Sequence, residues 1–340
     1  MATTTERNKT ILVIEDGQRL SGDLKREFEP HGYEIITYRD VTGVLVMARQ
    51  IDADAVILDA QLRGAGSVVA LKSLRRNVHT AAVPVIAAVG RNGPQEKDLL
   101  PAGATAAVTE PLDPGKLRAI VEKHLQDTLD FTHEPPAEVL AAPERLKSLE
   151  GAKVVDTPRD KTFDRLTKLT TSLLVAPTAT MSLVMPDRQF FKSEQGLGEP
   201  WKSKRETPLS YSFCQWVVSA KDDLVIDDAS KHPVLRKNLA LKDLGVTAYA
   251  GVPLSGPGGE AIGSMCAIDT RARNWKQEDI ATLHDLAYIA NSYMAIGPQS
   301  IRDAIHAATR MLRRYGARLR ETEREDLLSI IDEESATLVP

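Results

Sequence analysis

Residues 55–59 read AVILD and residues 11–16 read ILVIED, and these two stretches decide the fold of the first third of the chain. Each is a short apolar run closed by carboxylates: Asp59 ends one, and the pair Glu15 and Asp16 ends the other. A continuous apolar run of this length fits a strand buried on both faces, as in a parallel sheet. Ligands of open α/β sheets bind outside the carboxyl ends of the strands, so acidic groups placed there face whatever cation or phosphoryl group such a site receives. From about residue 10 to residue 125 similar runs alternate with longer amphipathic stretches. Five βα units can be counted, with strands expected at 11–14, 33–38, 55–59, 84–89 and 106–110.

The chain has 340 residues, which predicts two or three domains. Its net charge of -4 argues against attraction to nucleic acid or to an anionic membrane surface. No apolar run approaches the roughly 20 residues of a membrane span. Residues 1–9 are polar, unlike a secretion signal, and Cys214 and Cys266 are the sole cysteines, too few for a disulfide scaffold. A cytoplasmic protein is expected.

The motifs ILVIED (11–16), VILDAQLRGAG (56–66), the turn at 84–90 and GATAAVTEP (103–111) together resemble the receiver domain of two-component response regulators, over residues 10–126. The resemblance implies a flavodoxin-like α/β fold with a parallel five-stranded sheet. It also implies Asp59 as the acceptor of phosphate from a histidine kinase, and Mg²⁺ held by Glu15, Asp16, Asp59 and the backbone carbonyl of Gln61. Mg²⁺ suits that role because it prefers oxygen ligands and spreads the charge of a transferring phosphoryl group. Three positions depart from the family: Val89 stands where it has Ser or Thr, Glu110 where it has Lys, and Ala107 near the place of its aromatic switch. A carboxylate in place of a cation repels a dianion. Two readings stay open, an active phosphorelay protein modified on Asp59 and a pseudo-receiver that serves as a docking surface. The second is preferred, because residues 89 and 107 cannot carry the usual switch.

Residues 127–160 contain Pro135, Pro136, Pro143 and Pro158 and read as a linker with a short helix at about 141–149. Helical spacing then places Phe163, Leu166, Leu169, Leu173 and Leu174 on one face. Strands are expected at 179–185, 189–195, 224–226, 248–254 and 261–268, the last two joined by the hairpin signal LSGPGGE (254–260). Strands in meander order flanked by helices predict an α+β domain with an antiparallel sheet.

The order FDRLTKL (163–169), MSLVMPDRQFFKSEQGL (181–197), SYSFCQWVV (210–218), LVIDDASKHP (224–233), AYAGVPL (248–254) and GSMCAIDTRARNW (263–275) resembles a GAF domain over residues 161–296. The resemblance implies a small-molecule sensing or dimerising module and selects no particular ligand. Its pocket would involve Phe190, Phe213, Cys214, Trp216, Asp227, Tyr249 and Cys266, most of which also read as packing residues. Gln215 follows Cys214 where bilin-binding relatives carry histidine, so Cys214 reads as an inert buried thiol. His232 and His284 have no metal-ligand spacing, and no nucleophile elbow is present. Gly256, Gly258 and Gly259 lie in a hairpin rather than before a helix, so they form no phosphate loop. No catalytic residues are assigned and a non-enzymatic role is expected.

Residues 299–337 read as an αα hairpin, with Ile301, Ile305, Ala308, Leu312 and Tyr315 on one stripe, a break at Gly316, and Leu327, Leu328, Ile330 and Ile331 on the second helix. Residues 311–335 resemble the dimerisation hairpin of sensor histidine kinases, with Ile296 aligned to the phosphoaccepting histidine. His306 reads as a solvated helix residue. The resemblance implies a homodimer built through these helices. It also leaves the alternative of a scaffold that forms mixed dimers with an intact histidine kinase.

Overall fold

The structure, a computed structural model, describes residues 9–17, 19–39, 43–62, 66–127, 134–295 and 298–337. It divides into two compact units, Met1–His133 and Glu134–Pro340.

The first unit runs β1 (Lys9–Ile14), α1 (Ser21–Phe28), β2 (Tyr33–Tyr38), α2 (Val44–Gln50), β3 (Ala55–Asp59), α3 (Gly66–Arg76), α4 (Val78–Ala81), β4 (Val85–Val89), α5 (Glu96–Leu99), β5 (Ala106–Thr109) and α6 (Pro114–Asp127). Its five strands are all parallel, in the order β2-β1-β3-β4-β5. Successive strand residues point to opposite faces. Ile11, Val13, Ile57 and Ile86 therefore pack with Leu24, Phe28, Leu117 and Val121 of α1 and α6. Their neighbours Leu12, Ile14, Val56, Leu58 and Val85 pack with Val44, Ala48, Leu71 and Leu74 of α2 and α3. Both faces are covered, which is why the strands read as unbroken apolar runs. Pro84 falls just outside β4, where its missing N–H costs no ladder bond and its carbonyl accepts from Val56 at 2.8 Å.

The second unit continues with α7 (Ala137–Leu140), α8 (Pro143–Gly151), α9 (Lys161–Leu174), β6 (Thr178–Val184), β7 (Arg188–Gln195), α10 (Trp201–Lys204), β8 (Glu206–Pro208), α11 (Cys214–Ala220), β9 (Leu224–Ile226), α12 (Leu239–Asp243), β10 (Ala248–Ser255), β11 (Ala261–Asp269), α13 (Gln277–Met294), α14 (Pro298–Tyr315) and α15 (Glu321–Thr337). Its sheet is antiparallel throughout, ordered β8-β7-β6-β11-β10-β9. Strand β8 escapes the sequence reading because three residues ending in proline give no period. Among the described residues no helix is long and apolar enough to cross a membrane.

Two expectations change here. The segment read as a linker is, from residue 134 on, part of the second unit. Arg145, 2% exposed, reaches from α8 to donate through Nε to the Leu140 carbonyl at 2.9 Å and through Nη1 to the Val184 carbonyl at 2.8 Å. Burial away from water lowers its guanidinium pKa to about 10. Leu149 joins the core, and Ser148 lies so close to the 256–258 turn that a Cβ on Gly256 would stand 2.7 Å from its carbonyl oxygen. Proline content signalled an interruption of helix, but not what the intervening arginine would reach.

The tail also differs from expectation, since its apolar stripe is buried within its own chain. Ala304, Ala307, Ala308, Met311, Tyr315, Leu327 and Ile330 share one core with Leu166 of α9 and Leu286 and Ala290 of α13. Thr282 donates to the Tyr315 hydroxyl at 3.0 Å, and Lys168 of α9 pairs with Asp326 of α15 at 2.7 Å. On α14 the small residues Ala304, Ala307 and Ala308 are buried in this core, whereas Ile305 and Leu312 are only partly buried. Leu328 is left 47% exposed, and His306 is exposed. Ile296 and the side chain of Ile301 lie outside the described residues.

Arg145→Ala removes the donors of two buried carbonyls, and is expected to lower the unfolding free energy by about 3 kcal/mol. Urea denaturation, together with earlier proteolytic cleavage within residues 134–152, checks this.

Candidate functional site

The first candidate is the carboxyl edge of the parallel sheet. Neighbouring strands β1 and β3 bring Glu15 and Asp59 there together. Glu15 is buried and spends its charge on backbone amides, accepting from Leu20 at 2.8 Å and Ser21 at 3.3 Å where α1 begins. That is a favourable place for an anion, because the first amides of a helix lack partners within it. Asp59 is 3% exposed. Its Oδ1 accepts from the Gln61 amide at 2.9 Å and from Arg19 Nη2 at 2.6 Å, and its Oδ2 accepts from Arg19 Nε at 3.1 Å. The same guanidinium donates through Nη1 to Glu110. One arginine thus spans the predicted acceptor aspartate and the carboxylate that replaces the family's lysine.

Around this fork the other positions close in. A Cβ on Gly90 would stand 1.4 Å from Gln61 Nε2, so the Gln61 side chain fills the space just past the end of β4 that a larger residue would occupy. Val89 is buried in the core, Ala107 is half-buried on β5, and neither supplies a hydroxyl or a ring. Asp16 is exposed and has an interaction partner of its own.

The residues do not fit the expected metal. Mg²⁺ needs several oxygen ligands in near-octahedral array. Here Glu15 is engaged by amides and both oxygens of Asp59 by Arg19. Among the described residues no three His, Cys, Asp or Glu side chains come together as a metal site. In this structure the Arg19 guanidinium faces Asp59, and Glu15, Asp16, Asp59 and Gln61 are not arrayed as a ligand set. Arg19 escaped the sequence reading, although a charge reversal at Glu110 calls for a compensating base within reach.

Arg19→Ala leaves the nearly buried Asp59 beside Glu110 with no counter-charge. A loss of about 2 kcal/mol at neutral pH is expected, with at least half regained on adding Glu110→Lys. A double-mutant cycle by urea unfolding measures it.

The second candidate is a cavity of about 160 Å³ in the second unit. Strand alternation builds it: Thr180, Cys266 and Ile268 face it, while their neighbours Met181, Met265 and Ala267 face the core beneath α9 and α13. The floor is Phe213, Cys214, Tyr249 and Cys266, all buried, and the rim carries exposed Glu199, Asp243 and Thr270. At the rim Trp201 and Tyr211 lie 4.9 Å apart between ring centroids. Tyr211 donates to Asp243 at 2.6 Å, which raises the pKa of the phenol. On the floor the Tyr249 hydroxyl donates to Cys214 Sγ at 3.3 Å and meets Ser264 Oγ at 3.2 Å, while Thr180 Oγ1 lies 3.0 Å from Cys266 Sγ. No lysine, arginine or histidine is among the lining residues.

Phe213, Cys214, Tyr249 and Cys266 are thus brought together, whereas three other expected pocket residues are placed elsewhere. Phe190 points into the opposite core with the Arg205 guanidinium 4.9 Å over its ring, and its neighbour Phe191 takes the cavity side. Trp216 is buried off the cavity wall. Asp227 pins the 273–275 segment, its carboxylate accepting from the Trp275 amide at 3.2 Å and its carbonyl from the Arg273 amide at 3.1 Å. Glu199, Trp201, Tyr211 and Asp243 were not read in advance, because loop and short-helix residues carry no periodic signal.

Comparison with known proteins agrees with this division. Residues 158–293 match the GAF domain family. The chain is 31% identical over 130 residues to the cyclic di-GMP phosphodiesterase PA2567 of Pseudomonas aeruginosa, an alignment covering 38% of this chain and 21% of that protein. It therefore spans about a fifth of that relative's length. Protein PilH of the same organism is 27% identical over 106 residues, covering 30% of this chain and 86% of PilH. Among solved structures, the receiver domain of the sensor histidine kinase PA1611 of Pseudomonas aeruginosa, with magnesium in its active-site cleft, aligns with a TM-score of 0.32 and 20% identity, over 35% of this chain and 98% of that one. The N-terminal unit, with its parallel β2-β1-β3-β4-β5 sheet, is similar to the response regulator-type PilH over 106 residues, and residues 158–293 match the GAF domain family.

Proposed function

We propose that this regulator works through protein contacts, with a pseudo-receiver that docks partners without phosphotransfer and a GAF domain that binds a small neutral or cationic molecule. The observation that carries the receiver half is the Arg19 guanidinium held between Asp59 and Glu110. Attack on a phosphoryl group needs a free carboxylate oxygen, and both oxygens of Asp59 face Arg19. Glu110 adds repulsion where the product dianion would lie, and Val89 offers it no hydroxyl. A histidine kinase or another signalling protein is the proposed partner, and the cytoplasm, where free thiols persist, is the proposed location.

For the GAF half, a lining with Glu199 and Asp243 and no basic residue disfavours anions, cyclic nucleotides among them, and the Trp201 ring, over which Lys204 Nζ stands at 5.8 Å, already accepts a cation, so the Trp201 and Tyr211 rings favour an uncharged or cationic guest. The proposed role is binding, not catalysis. Occupancy would reach the tail through the sheet itself, since α9 and α13 cover its other face and carry α14 and α15. A differential contact of a few kcal/mol suffices for such coupling. A homodimer, if formed, would use surfaces other than the stripe already covered, such as the exposed Leu328 and Tyr288.

Intact-mass measurement after incubation with acetyl phosphate and Mg²⁺ tests the receiver half. No adduct is expected on the wild type, whereas Arg19→Thr combined with Val89→Thr and Glu110→Lys should gain one that Asp59→Asn abolishes. A wild-type adduct lost in Asp59→Asn would overturn the proposal in favour of an active phosphorelay protein. In thermal-shift measurements cyclic nucleotides should leave the melting temperature unchanged in the wild type, and a shift with one would overturn the ligand class.

A further inference from the structure

Strand β7 carries a bulge. Its register against β6 passes from Ser182 opposite Phe191 directly to Met181 opposite Ser193, so Lys192 has no partner across the ladder. A bulge of this kind re-aims a side chain. Phe191 keeps to the first cavity, whereas Lys192 turns to the face covered by α9 and lines a second cavity of about 490 Å³. The other walls are the 152–160 segment, Phe163 of α9, and Tyr293 and Met294 at the end of α13. The two cavities share no residue.

Lys192 is 4% exposed. Its ammonium donates to Thr157 Oγ1 and to the Pro158 carbonyl, both at 2.7 Å, and stands 5.6 Å from the Phe163 ring centroid. Those partners are neutral, and among the described residues no carboxylate comes within ion-pair distance of Lys192. Buried charges are ordinarily paired, because a surrounding of low dielectric penalises a lone ion. Burial accordingly lowers the Lys192 pKa, against the pull of Asp160, and the nearby Arg205 lowers it further. The rest of the wall does not supply the missing charge. Asp160 is the sole acid of the lining, and its carboxylate caps α9 by accepting from the Thr162 amide at 2.9 Å. Arg159 and Lys153 add two cations, the first held by Glu194 at 2.7 Å and the second exposed. The lining is thus net positive, the reverse of the first cavity, which holds Glu199 and Asp243 and no base.

We propose that this second cavity binds a small organic monoanion, a carboxylate on an apolar body, whose charge pairs with the Lys192 ammonium. A carboxylate is favoured over a phosphate by Asp160 on the same wall, which repels a dianion twice as strongly as a monoanion. Val154, Phe163 and Met294, all of the domain core, offer the apolar body its surface. The site lies between the chain that follows α8 and the last turn of α13, which leads into the tail helices. An anion seated there ties those segments to β7. The site stands on the unpaired charge of Lys192 and does not depend on the guest assigned to the first cavity.

The test uses the full chain with benzoate as the probe, and with benzamide and phenyl phosphate as competitors that keep the ring and change the charge. Irradiation with para-azidobenzoate followed by peptide mapping locates the site without any substitution. Label is expected within residues 152–163, on Lys192 or at residues 293–294, displaced by excess benzoate and about tenfold less well by either competitor. In titration calorimetry Lys192→Met should weaken benzoate about tenfold or more, and Lys153→Ala, a change at an exposed side chain, about twofold. Label confined to first-cavity residues such as Trp201 and Tyr211, or no label that benzoate displaces, would overturn the proposal. So would benzamide competing as well as benzoate, and phenyl phosphate competing as well would overturn the monoanion class. Should Lys192→Met fail to fold, the label and the competition series on the wild type decide alone.

Discussion

Both sheets are covered on both faces, and that constraint governs the rest of the molecule. A strand between two layers sorts its residues by parity, one set to each layer. In the parallel sheet both sets are apolar and each meets helices. In the antiparallel sheet the sets differ: Met181, Leu183, Met265 and Ala267 fill the core beneath the helices, while Thr180, Ser182, Ser264 and Cys266 form a polar layer at and beneath the cavity floor. The same alternation makes Phe191 a cavity residue and Phe190 a core residue. A site with hydroxyls and thiols on its floor is a consequence of which parity carries the polar residues.

Within the receiver domain the decisive feature is electrostatic. A nearly buried carboxylate must be paired or lose its charge. In this chain the pairing is internal, from Arg19, and it extends to Glu110. The carboxylate of Glu110 and that of Asp59 share the one Arg19 guanidinium, which offsets their mutual repulsion. A site arranged in this way leaves both oxygens of Asp59 facing the Arg19 guanidinium.

Segments outside the sheets are held by packing rather than by regular pattern. Arg145 draws residues 137–151 onto the GAF domain by satisfying carbonyls of two different elements. The tail helices bury alanines at 304, 307 and 308 in the core they share with α13, and Tyr315 and Lys168 add directed contacts. An amphipathic helix states that it has a face to bury, not which surface will bury it.

Sequence by itself determined the parallel character of the first unit, the antiparallel character of the second and most strand limits, because strand parity and apolar runs are local properties written in consecutive residues. Strand ends placed Asp59 and Glu15 at one edge of the first sheet, while the family resemblances added Glu110 there and named Phe213, Cys214, Tyr249 and Cys266 among pocket residues, together with Phe190, Trp216 and Asp227, which lie elsewhere. Only the tertiary structure decided that Arg19 reaches Asp59, that Glu15 accepts from the first amides of α1, that both cysteines line one cavity, and that the tail is buried in its own chain. Those outcomes depend on distances between side chains far apart in sequence, where long flexible groups such as arginine choose among many partners and no periodicity records the choice.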